Sequence, residues 1–378
     1  MKKVLLVTHV GDFIPQFEMD NVTYLQKKGY EVHYAANFSL SSYGNKGERL
    51  KNSGVVCHFI PFQRSPFSRE NIRAYRLLKK LLKEERFAMI HCHTPIGGAM
   101  ARMAGRAYRK NGMKVLYTAH GFHFFKGAPI INWLLYYPVE RFLSWFTDVQ
   151  ITINQEDFER ALHFHAKKVV RIPGVGIDTE HMGVRLLEDR ESFRASLGVE
   201  KEDFCLLSVG ELDENKNHET VLKAVQKMKP DRHIRYLICG KGRLEQKLKD
   251  RIKEYGLEDR VKMLGYRNDA PAVYEAADLF VFPSHREGLS AALMEAMAKG
   301  LPVVCSKIRG NVDLIEEEKG GLLVDSHSPS AFAEAILRLQ KDRKLGEQMG
   351  RRNREFVSSF DKSRVRAVMD KVYDEVLE

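Results

Sequence analysis

The chain of 378 residues lacks an apolar run long enough to cross a membrane. Its longest apolar stretch, residues 128–146, is interrupted by polar and charged side chains and by Pro138. A spanning helix needs about 20 consecutive apolar residues, so no transmembrane segment is expected. The opening MKKVLLVTHVG has too short an apolar run for a signal peptide and is typical of a buried first strand.

Cysteine is scarce, and its five positions form no C-x-x-C pair. They are Cys57, Cys92, Cys205, Cys239 and Cys305, and the last three lie in or beside apolar, strand-like runs. This pattern is typical of reduced core thiols. Together with the absence of a signal peptide, it predicts a cytoplasmic protein.

A complete dinucleotide-binding fingerprint is also absent. Gly240-Lys241-Gly242 follows the apolar run YLIC, but Glu245 stands where the pattern G-x-G-x-x-G requires its last glycine. A nicotinamide- or flavin-dependent enzyme is therefore not expected, and no cofactor is predicted.

Acidic residues are sparse in the first half only. Residues 1–175 contain 26 Lys/Arg and 13 Asp/Glu, and the remainder contains 35 and 37, so net charges of +13 and −2 make up the total of +11. A basic half indicates an anionic partner for that half. The candidates are a membrane surface, a pyrophosphate-linked acceptor and, third, nucleic acid.

What the sequence does contain is a regular alternation of short apolar strands and amphipathic helices, which is typical of parallel βαβ units. Strand-like runs occur on both sides of PGVGID (173–178): KVLLVTH, EVHYAA, VCHFIP, MIHCH, KVLYTAH, VQITIN and VVRIP before it, and FCLLSVG, RYLICG, VKMLG, LFVFPS, PVVCS and GLLV after it. The pattern predicts two doubly wound sheets of Rossmann type with a crevice between them.

The run EGLSAALME places two carboxylates, Glu287 and Glu295, eight positions apart after the strand-like run ADLFVFPS. We expect both on one face near the start of a largely apolar, buried helix. An acid just before a helix N-terminus, with a second acid inside the helix, makes a compact polar site beside a positive dipole end. The alternative is an ordinary solvated helix face.

This run resembles the E-x7-E signature of the retaining family 4 glycosyltransferases, which have the GT-B fold. Further segments match that family in order: VTHVGDFIPQF, IHCHTP, YTAHGFHFFKGAP, GVGID, SVGELDENKNH, YLICGKG, VKMLGYRND, FPSHREGLS, KGLPVVCS and IRGNVDLI. The resemblance therefore spans nearly the whole chain. TAHGFHFFKGAPIINW, together with RSPFS, resembles a bacterial subgroup that builds capsular and extracellular polysaccharides.

The resemblance implies an α/β protein of the GT-B class, with two doubly wound Rossmann-like domains that face each other across a cleft. We expect an acceptor-side domain at 1–174 and a nucleotide-sugar-binding domain at 175–359. The amphipathic segment at about 360–378 is expected to return to the first domain as a C-terminal helix.

The resemblance also implies roles for the signature. Glu295 would bind the ribose hydroxyls of the nucleotide, and Glu287 would face the transferred sugar, since carboxylates accept strong hydrogen bonds from hydroxyls. Gly288 would let the backbone come close to the ligand. The amides at the helix start would then receive the diphosphate, at Leu289, Ser290 and Ala291.

Lys216, in GELDENKNH, matches the family lysine that binds the donor diphosphate, and a plain surface lysine is the alternative. The family usually has Arg where this chain has Glu211. Either Arg286 or another base compensates for that change, or Glu211 turns away from the phosphates.

Several further residues match family positions. Tyr266 and Arg267 match the loop that in the family contacts the nucleotide base, and Gly11 matches the loop that in the family would approach the diphosphate. His120 ends a strand where the family has a histidine beside the donor sugar; a capping or core histidine is the alternative. His123 is a weaker candidate.

No metal is predicted. The chain has no D-x-D motif of the kind that metal-dependent GT-A enzymes use. His91 and His93 alternate along a strand, and we expect them to point to opposite faces and not to share an ion.

The segment RAYRLLKKLLKEER (73–86) has leucines on one stripe and basic residues around it. It predicts either a core-facing helix with a solvated basic face or a patch for an anionic membrane surface.

Taken together, the sequence predicts a retaining, metal-independent glycosyltransferase with a nucleotide-sugar donor, most simply UDP-linked. The expected acceptor is a polyprenyl-pyrophosphate-linked saccharide at the inner face of the cell membrane, in surface polysaccharide synthesis, with the enzyme held there peripherally. A GT-B nucleotide-sugar epimerase is the first alternative. A nucleic-acid-binding protein is the second, although the chain lacks the aromatic and basic motifs of RNA-binding modules.

Overall fold

The computed structural model describes residues 1–40, 47–184, 189–228 and 233–378, and these divide into two compact units. The first unit comprises Met1–Val175 together with Ser363–Glu378, and the second comprises Gly176–Lys362. Each unit is built around its own parallel sheet.

In the described part of the first unit, seven parallel strands are ordered β3-β2-β1-β4-β5-β6-β7. They are β1 (Lys3–Val7), β2 (Glu31–Ala36), β3 (Val56–Phe59), β4 (Phe87–His93), β5 (Lys114–Ala119), β6 (Val149–Thr152) and β7 (Lys168–Arg171). The central strands are buried on both faces, which is why they are nearly continuous apolar runs in the sequence.

Helices connect these strands: α1 (Phe13–Phe17), α2 (Met19–Lys27), α3 (Glu70–Glu84), α4 (Pro95–Gly105), α5 (Ile130–Leu143) and α6 (Gln155–Ala161). On α3 the apolar stripe faces the core, with Leu78, Leu81 and Leu82 buried. Its basic side chains are exposed, so α3 has the geometry of a core-facing helix with a solvated face.

The described part of the second unit has six parallel strands ordered β10-β9-β8-β11-β12-β13. They are β8 (Phe204–Val209), β9 (Ile234–Cys239), β10 (Val261–Gly265), β11 (Leu279–Phe282), β12 (Val303–Ser306) and β13 (Gly321–Val324). Every strand-like run predicted from the sequence is a strand, and the two doubly wound sheets confirm the predicted α/β class.

The remaining helices are α7 (Thr179–Gly183), α8 (Arg190–Ser196), α9 (His218–Lys227), α10 (Glu245–Glu254), α11 (Ala270–Ala276), α12 (Ala291–Ala298), α13 (Asn311–Leu314), α14 (Pro329–Lys341), α15 (Arg343–Val357) and α16 (Lys362–Leu377). In the described ranges, 3₁₀ turns lie at Gly47–Leu50, Arg109–Asn111, Ser144–Phe146 and Ser358–Phe360. Most of α16 belongs to the first unit, where it buries Val365, Met369, Val372 and Tyr373.

Within the described ranges, no helix is both long enough and apolar enough to cross a membrane.

Candidate active site

In the second unit, the loops that follow β8 and β11 leave the sheet at one point. The two strands are parallel neighbours, yet the chain proceeds from β8 toward one edge of the sheet and from β11 toward the other. Doubly wound sheets bind ligands at the carboxyl ends of their strands where the strand order reverses in this way. The loops at 210–217 and 283–290 therefore mark the candidate site of this unit.

A charged pair lies at this point. Lys216 Nζ is 2.7 Å from Glu287 Oε1, and only 19% and 12% of the two side chains are exposed. The ammonium also lies 4.7 Å from the ring centroid of Phe282, the last residue of β11. A Cβ on Gly210 would lie 3.2 Å from Lys216 Cε, so the glycine leaves room for the lysine.

The neighbours of Lys216 tie the two loops together. The Asn215 carbonyl accepts from the His285 N–H at 2.8 Å, and Asn215 Nδ2 donates to the Arg286 carbonyl at 2.9 Å. Asn217 Nδ2 donates to the Pro283 carbonyl at 3.0 Å. Asn217 has φ of 53°, a left-handed conformation that asparagine tolerates better than most residues. These bonds fix the position of Lys216 relative to Glu287.

Helix α12 begins directly after the second loop. Ser290 is its N-cap, and its side chain accepts from the Leu293 N–H at 3.4 Å. The N–H groups of Ala291 and Ala292 have no intrahelical acceptor, because the first turn of any helix leaves its amides unused. The helix start therefore presents donors and a positive dipole end beside the Lys216–Glu287 pair.

A third loop supports this segment. Gly310 has φ of 81°, and a Cβ there would lie 1.9 Å from the Gly288 carbonyl oxygen. The neighbouring Arg309, which is 7% exposed, donates from Nε to the Glu287 carbonyl at 3.1 Å. Arg309 thus brings a buried cation to the loop that carries Glu287.

Glu295 lies inside α12 and is largely buried. Burial raises the pKa of its carboxyl, and the hydrogen bond from the Tyr274 hydroxyl at 2.9 Å opposes that rise. Tyr274 belongs to α11, and its hydroxyl also lies 3.1 Å from the Ala292 carbonyl. Among the described residues, the Tyr274 hydroxyl is the hydrogen-bond partner of the Glu295 carboxylate.

The expectation of both acids on one helix was wrong in part. The helix starts at Ala291, so Glu287, Gly288 and Leu289 belong to the loop, and Glu295 lies little more than one turn inside. The Ser290 cap explains the shift, since a serine that accepts from the third amide ends the loop at its own position.

The other predicted residues of the second unit are placed as follows. Tyr266 is 66% exposed after β10, and Arg267 is ion-paired with Asp269. Arg286 and Glu211 are both exposed. The buried basic residue next to Glu287 is Arg309 rather than Arg286, and it was not among the predicted site residues.

In the first unit, β1 and β4 are the neighbours at the point of reversal, and β5 lies next to β4. Thr94 follows β4 with φ of 64°, which is strained for a β-branched residue. Its Oγ1 accepts from the His9 N–H, just after β1, at 3.1 Å. Backbone strain of this kind concentrates at functional sites. His120 follows β5 at the same edge of the sheet.

His120 belongs to a cluster with His93 and Glu18. Its Nε2 is 3.2 Å from Nδ1 of His93, and His93 Nδ1 is 3.7 Å from the Glu18 carboxylate. Asn21 donates to Glu18, and the ring of Phe13 packs against both histidines. Glu18 directly precedes α2, and no motif in the sequence indicates that it meets these strand ends.

Burial controls the charges in this cluster. It raises the pKa of Glu18 to about 7 and lowers the pKa of His120 to about 4, and the pKa of His93 lies well below its usual value for the same reason, aided by its neighbours His91 and His120. Both histidines are therefore neutral at pH 7, while Glu18 exchanges its proton near that pH.

The ligand atoms of Glu18, His93 and His120 lie within 4.8 Å of one another, a spacing that could hold a metal ion. The predicted metal independence therefore stays a prediction that a chelator must test.

The argument that separated His91 from His93 was wrong. Residues two apart on a strand share a face, and the two ring centroids are 4.2 Å apart. Both ring nitrogens of His91 already have hydrogen-bond partners: Nδ1 lies 2.8 Å from the Tyr373 hydroxyl, and Nε2 lies 2.8 Å from Thr118 Oγ1.

Gly11 and His123 have structural partners. A Cβ on Gly11 would lie 2.7 Å from Cα of Phe38, so packing alone accounts for the glycine. The ring of His123 stacks on Tyr136 at 4.7 Å.

Two family models match the chain. The model described as Glycosyltransferase Family 4 matches residues 19–181, and the model described as Glycosyl transferases group 1 matches residues 189–356. Together they cover most of both units.

Curated relatives agree with these models. A putative glycosyltransferase of Bacillus subtilis, EpsD, is 35% identical over 376 residues, which are 98% of this chain and 96% of the relative. An Escherichia coli UDP-Gal:alpha-D-GlcNAc-diphosphoundecaprenol alpha-1,3-galactosyltransferase is 30% identical over 292 residues, covering 75% of this chain and 74% of that one.

Solved structures share the fold. HepE of Anabaena, in complex with UDP, superposes with a TM-score of 0.78 at 19% identity and covers 99% of this chain and 100% of its own. WaaG, a glycosyltransferase involved in lipopolysaccharide biosynthesis, gives a TM-score of 0.73 at 14% identity, covering 98% of this chain and 99% of its own. The two Rossmann-like domains are thus those of GT-B glycosyltransferases.

Proposed function

The chain belongs to the family 4 glycosyltransferases, and from this premise we propose that it moves a sugar from a UDP-sugar to a polyprenyl-pyrophosphate-linked saccharide. In this proposal the transfer retains the anomeric configuration of the donor, needs no metal ion and serves the synthesis of a capsular or extracellular polysaccharide.

The observation that carries the proposal is the Lys216–Glu287 pair at the reversal point of the second sheet, next to the start of α12. Lys216 and the amides of Ala291 and Ala292 form a cationic, donor-rich corner that suits a diphosphate. Glu295, little more than one helical turn further on, can accept hydrogen bonds from vicinal ribose hydroxyls. Tyr266 and Arg267 are proposed to meet the base, and Arg286 to lie along the phosphates.

The chemistry follows from these groups. As the bond between the sugar and the diphosphate breaks, negative charge develops on the departing phosphate oxygen. Fixed hydrogen-bond donors and cations that face this developing charge stabilise the transition state more than they stabilise the bound UDP-sugar, and so they lower the barrier. We propose that Lys216 and the amides of α12 supply this stabilisation, and that Glu287 and His120 hold the sugar for front-face attack by the acceptor. No side chain is proposed as a covalent nucleophile.

The acceptor proposal draws on the relatives and on charge. The E. coli relative is named for a diphosphoundecaprenol-linked acceptor, and the first 175 residues of this chain carry a net charge of +13. A lipid-linked pyrophosphate at an anionic membrane surface fits such a unit. The enzyme would then act at the inner face of the cell membrane. Nucleic acid is not a proposed partner.

The test is a panel of nucleotide sugars, scored first by thermal stabilisation and slow hydrolysis. The active donor is then combined with a synthetic polyprenyl-diphosphate saccharide, and the anomeric configuration of the product is read by NMR. We expect stabilisation by a UDP-sugar and a product that keeps the configuration of the donor. An epimerised sugar formed without acceptor would favour the epimerase, and salt-sensitive binding of random oligonucleotides without any transfer would favour a nucleic-acid-binding protein.

A further inference from the structure

Helix α5 presents an apolar face to solvent. Six of its side chains are at least half exposed, at Ile130, Ile131, Leu134, Leu135, Val139 and Phe142. Trp145, in the 3₁₀ turn that follows, is 59% exposed. The spacing repeats every three to four residues, so these side chains line one side of the helix. We call this set the α5 face.

The opposite side of the helix is firmly held. Trp133, Tyr136 and Tyr137 pack against the apolar core of the first unit. Glu140, the one acidic residue of the helix, turns inward and forms an ion pair of 2.8 Å with the fully buried Arg102. Because the other side of α5 already packs on the core, the α5 face stays exposed in the folded unit. Contiguous apolar surface of this kind marks an interaction site.

The charges around the α5 face are basic. Arg141 is exposed on the helix, Lys126 is exposed just before it, and the guanidinium of Arg106 lies over the ring of Phe146 beyond its end. Within the described ranges none of the three charged groups forms an ion pair, although the backbone N–H of Lys126 donates to the Glu156 carboxylate at 2.7 Å. Arg109, which donates to the Trp145 carbonyl at 2.7 Å, shares Asp148 with Lys167.

We propose that the α5 face inserts into the surface of an anionic lipid bilayer, with Trp145 at the boundary and Lys126, Arg106 and Arg141 against the lipid phosphates. An apolar face with aromatic residues at its end and cations at its edge is the composition of interfacial helices. A second copy of the chain would fit less well, because a two-fold contact would bring the same cations together with no acid on the face to neutralise them. The inference rests on the proposed function, in which the acceptor is carried by a lipid.

The two tryptophans of the chain make a direct test possible, since both belong to this segment. Trp133 packs inward at 5.7 Å from the ring of Phe124, and Trp145 points outward. In a Trp133→Phe variant, Trp145 alone reports on the α5 face. Its emission should shift to shorter wavelength with vesicles of phosphatidylglycerol and phosphatidylethanolamine, and brominated lipid should quench it.

A second variant removes the apolar contact without changing charge. Leu134→Gln/Phe142→Gln should lower partitioning onto the same vesicles by about tenfold or more, the scale expected when a helix loses part of its inserted area. The matched control is Ile72→Gln/Leu77→Gln on α3, which replaces exposed apolar residues of the other candidate surface by the same neutral residue and should reduce binding far less. UDP affinity should be unchanged in both.

Three results would overturn the inference: no spectral shift of Trp145 with anionic vesicles, equal partitioning of parent and α5 variant, or loss of binding only in the α3 variant. A parent that is dimeric without lipid and becomes monomeric in the α5 variant would place a second copy on the face instead. The proposed function is judged separately by calorimetry with UDP, which needs no membrane.

Discussion

Lys216 and Glu287 neutralise each other in the structure, with Nζ 2.7 Å from Oε1. In the proposed site the lysine is also the cation for the donor diphosphate. A bound diphosphate must therefore compete with the Glu287 carboxylate for the Lys216 ammonium. The same carboxylate also repels the negatively charged diphosphate. The same carboxylate is proposed to face the sugar, so its effects on binding and on transfer should be opposite.

We therefore expect Glu287→Gln to bind UDP more tightly than the parent by roughly 1 kcal/mol, because a competing and repelling charge is removed. Sugar transfer by this variant should fall. Lys216→Met is the matched control and should weaken UDP binding. Calorimetry and initial rates measure the two effects, and a Glu287→Gln enzyme that loses UDP affinity as Lys216→Met does would contradict the competition.

Glu295 should matter to donor affinity through the ribose. Glu295→Ala is expected to weaken UDP binding by about 1.5–3 kcal/mol, the range for hydrogen bonds to charged groups. Its pKa is raised by burial, and the ionised form is the better acceptor, so UDP affinity should fall as pH is lowered, beginning at a higher pH than for an ordinary glutamate.

Tyr274→Phe is the control for Glu295, because it removes the donor to the carboxylate and keeps the ring. It should move the loss of UDP affinity to still higher pH. Unchanged UDP affinity in a folded Glu295→Ala protein would remove the ribose role.

Much of the architecture could be predicted because a parallel sheet buried on both faces leaves a direct record in the sequence. Runs such as LFVFPS and VQITIN have no other easy interpretation between amphipathic helices. The same pattern placed Glu287 after a predicted strand, whereas Lys216 was indicated by the family resemblance. That the two meet depends on the strand order, which the pattern does not contain.

The side-chain contacts could not be predicted in the same way. Glu18 reaches His93 because α1 and α2 lead back over the strand ends, and no local pattern records that path. Arg309 reaches the Glu287 carbonyl across a loop pair whose spacing depends on Gly310. The apolar outer side of α5 was visible in the sequence only as an interrupted run, because its inner side is also aromatic.

The buried Glu18 should make stability depend on pH. Its pKa is about 7 in the folded protein and 4.5 in an ordinary glutamate. Between these values the folded state holds a proton that the unfolded state has released, so the free energy of unfolding falls as pH rises through this window. The glutamine of Glu18→Gln does not ionise, so the variant avoids this loss. Between pH 4.5 and pH 8, its free energy of unfolding should rise relative to that of the parent by on the order of 3 kcal/mol.

Chemical denaturation of both proteins across this pH range measures the difference. The neighbouring histidines act in the opposite direction, since their folded pKa values are lowered, and they are present in both proteins. A difference that stays constant with pH would mean that Glu18 remains ionised in the folded protein.

Activity should survive a chelator. The donor site proposed here relies on Lys216 and helix amides, and the Glu18, His93 and His120 group is the one place among the described residues where three ligand atoms converge. Turnover lost in EDTA and restored by manganese or magnesium would refute metal independence. Loss of that rescue in Glu18→Gln would then locate the ion at this cluster.

The last prediction concerns His120, which is neutral at pH 7 because its pKa is about 4. A neutral imidazole can hold a sugar hydroxyl, but it cannot serve as a cation for the diphosphate. His120→Ala should therefore reduce transfer on the order of a hundredfold, the lower end for a positioned catalytic group. UDP affinity should stay as in the parent, since UDP has no sugar for the ring to touch. His93→Gln changes the neighbour of His120 but leaves the His120 imidazole in place, so this variant should lose less transfer activity. Near-normal turnover, or a loss accompanied by a large fall in melting temperature, would make His120 a structural histidine that only packs against His93 and Phe13.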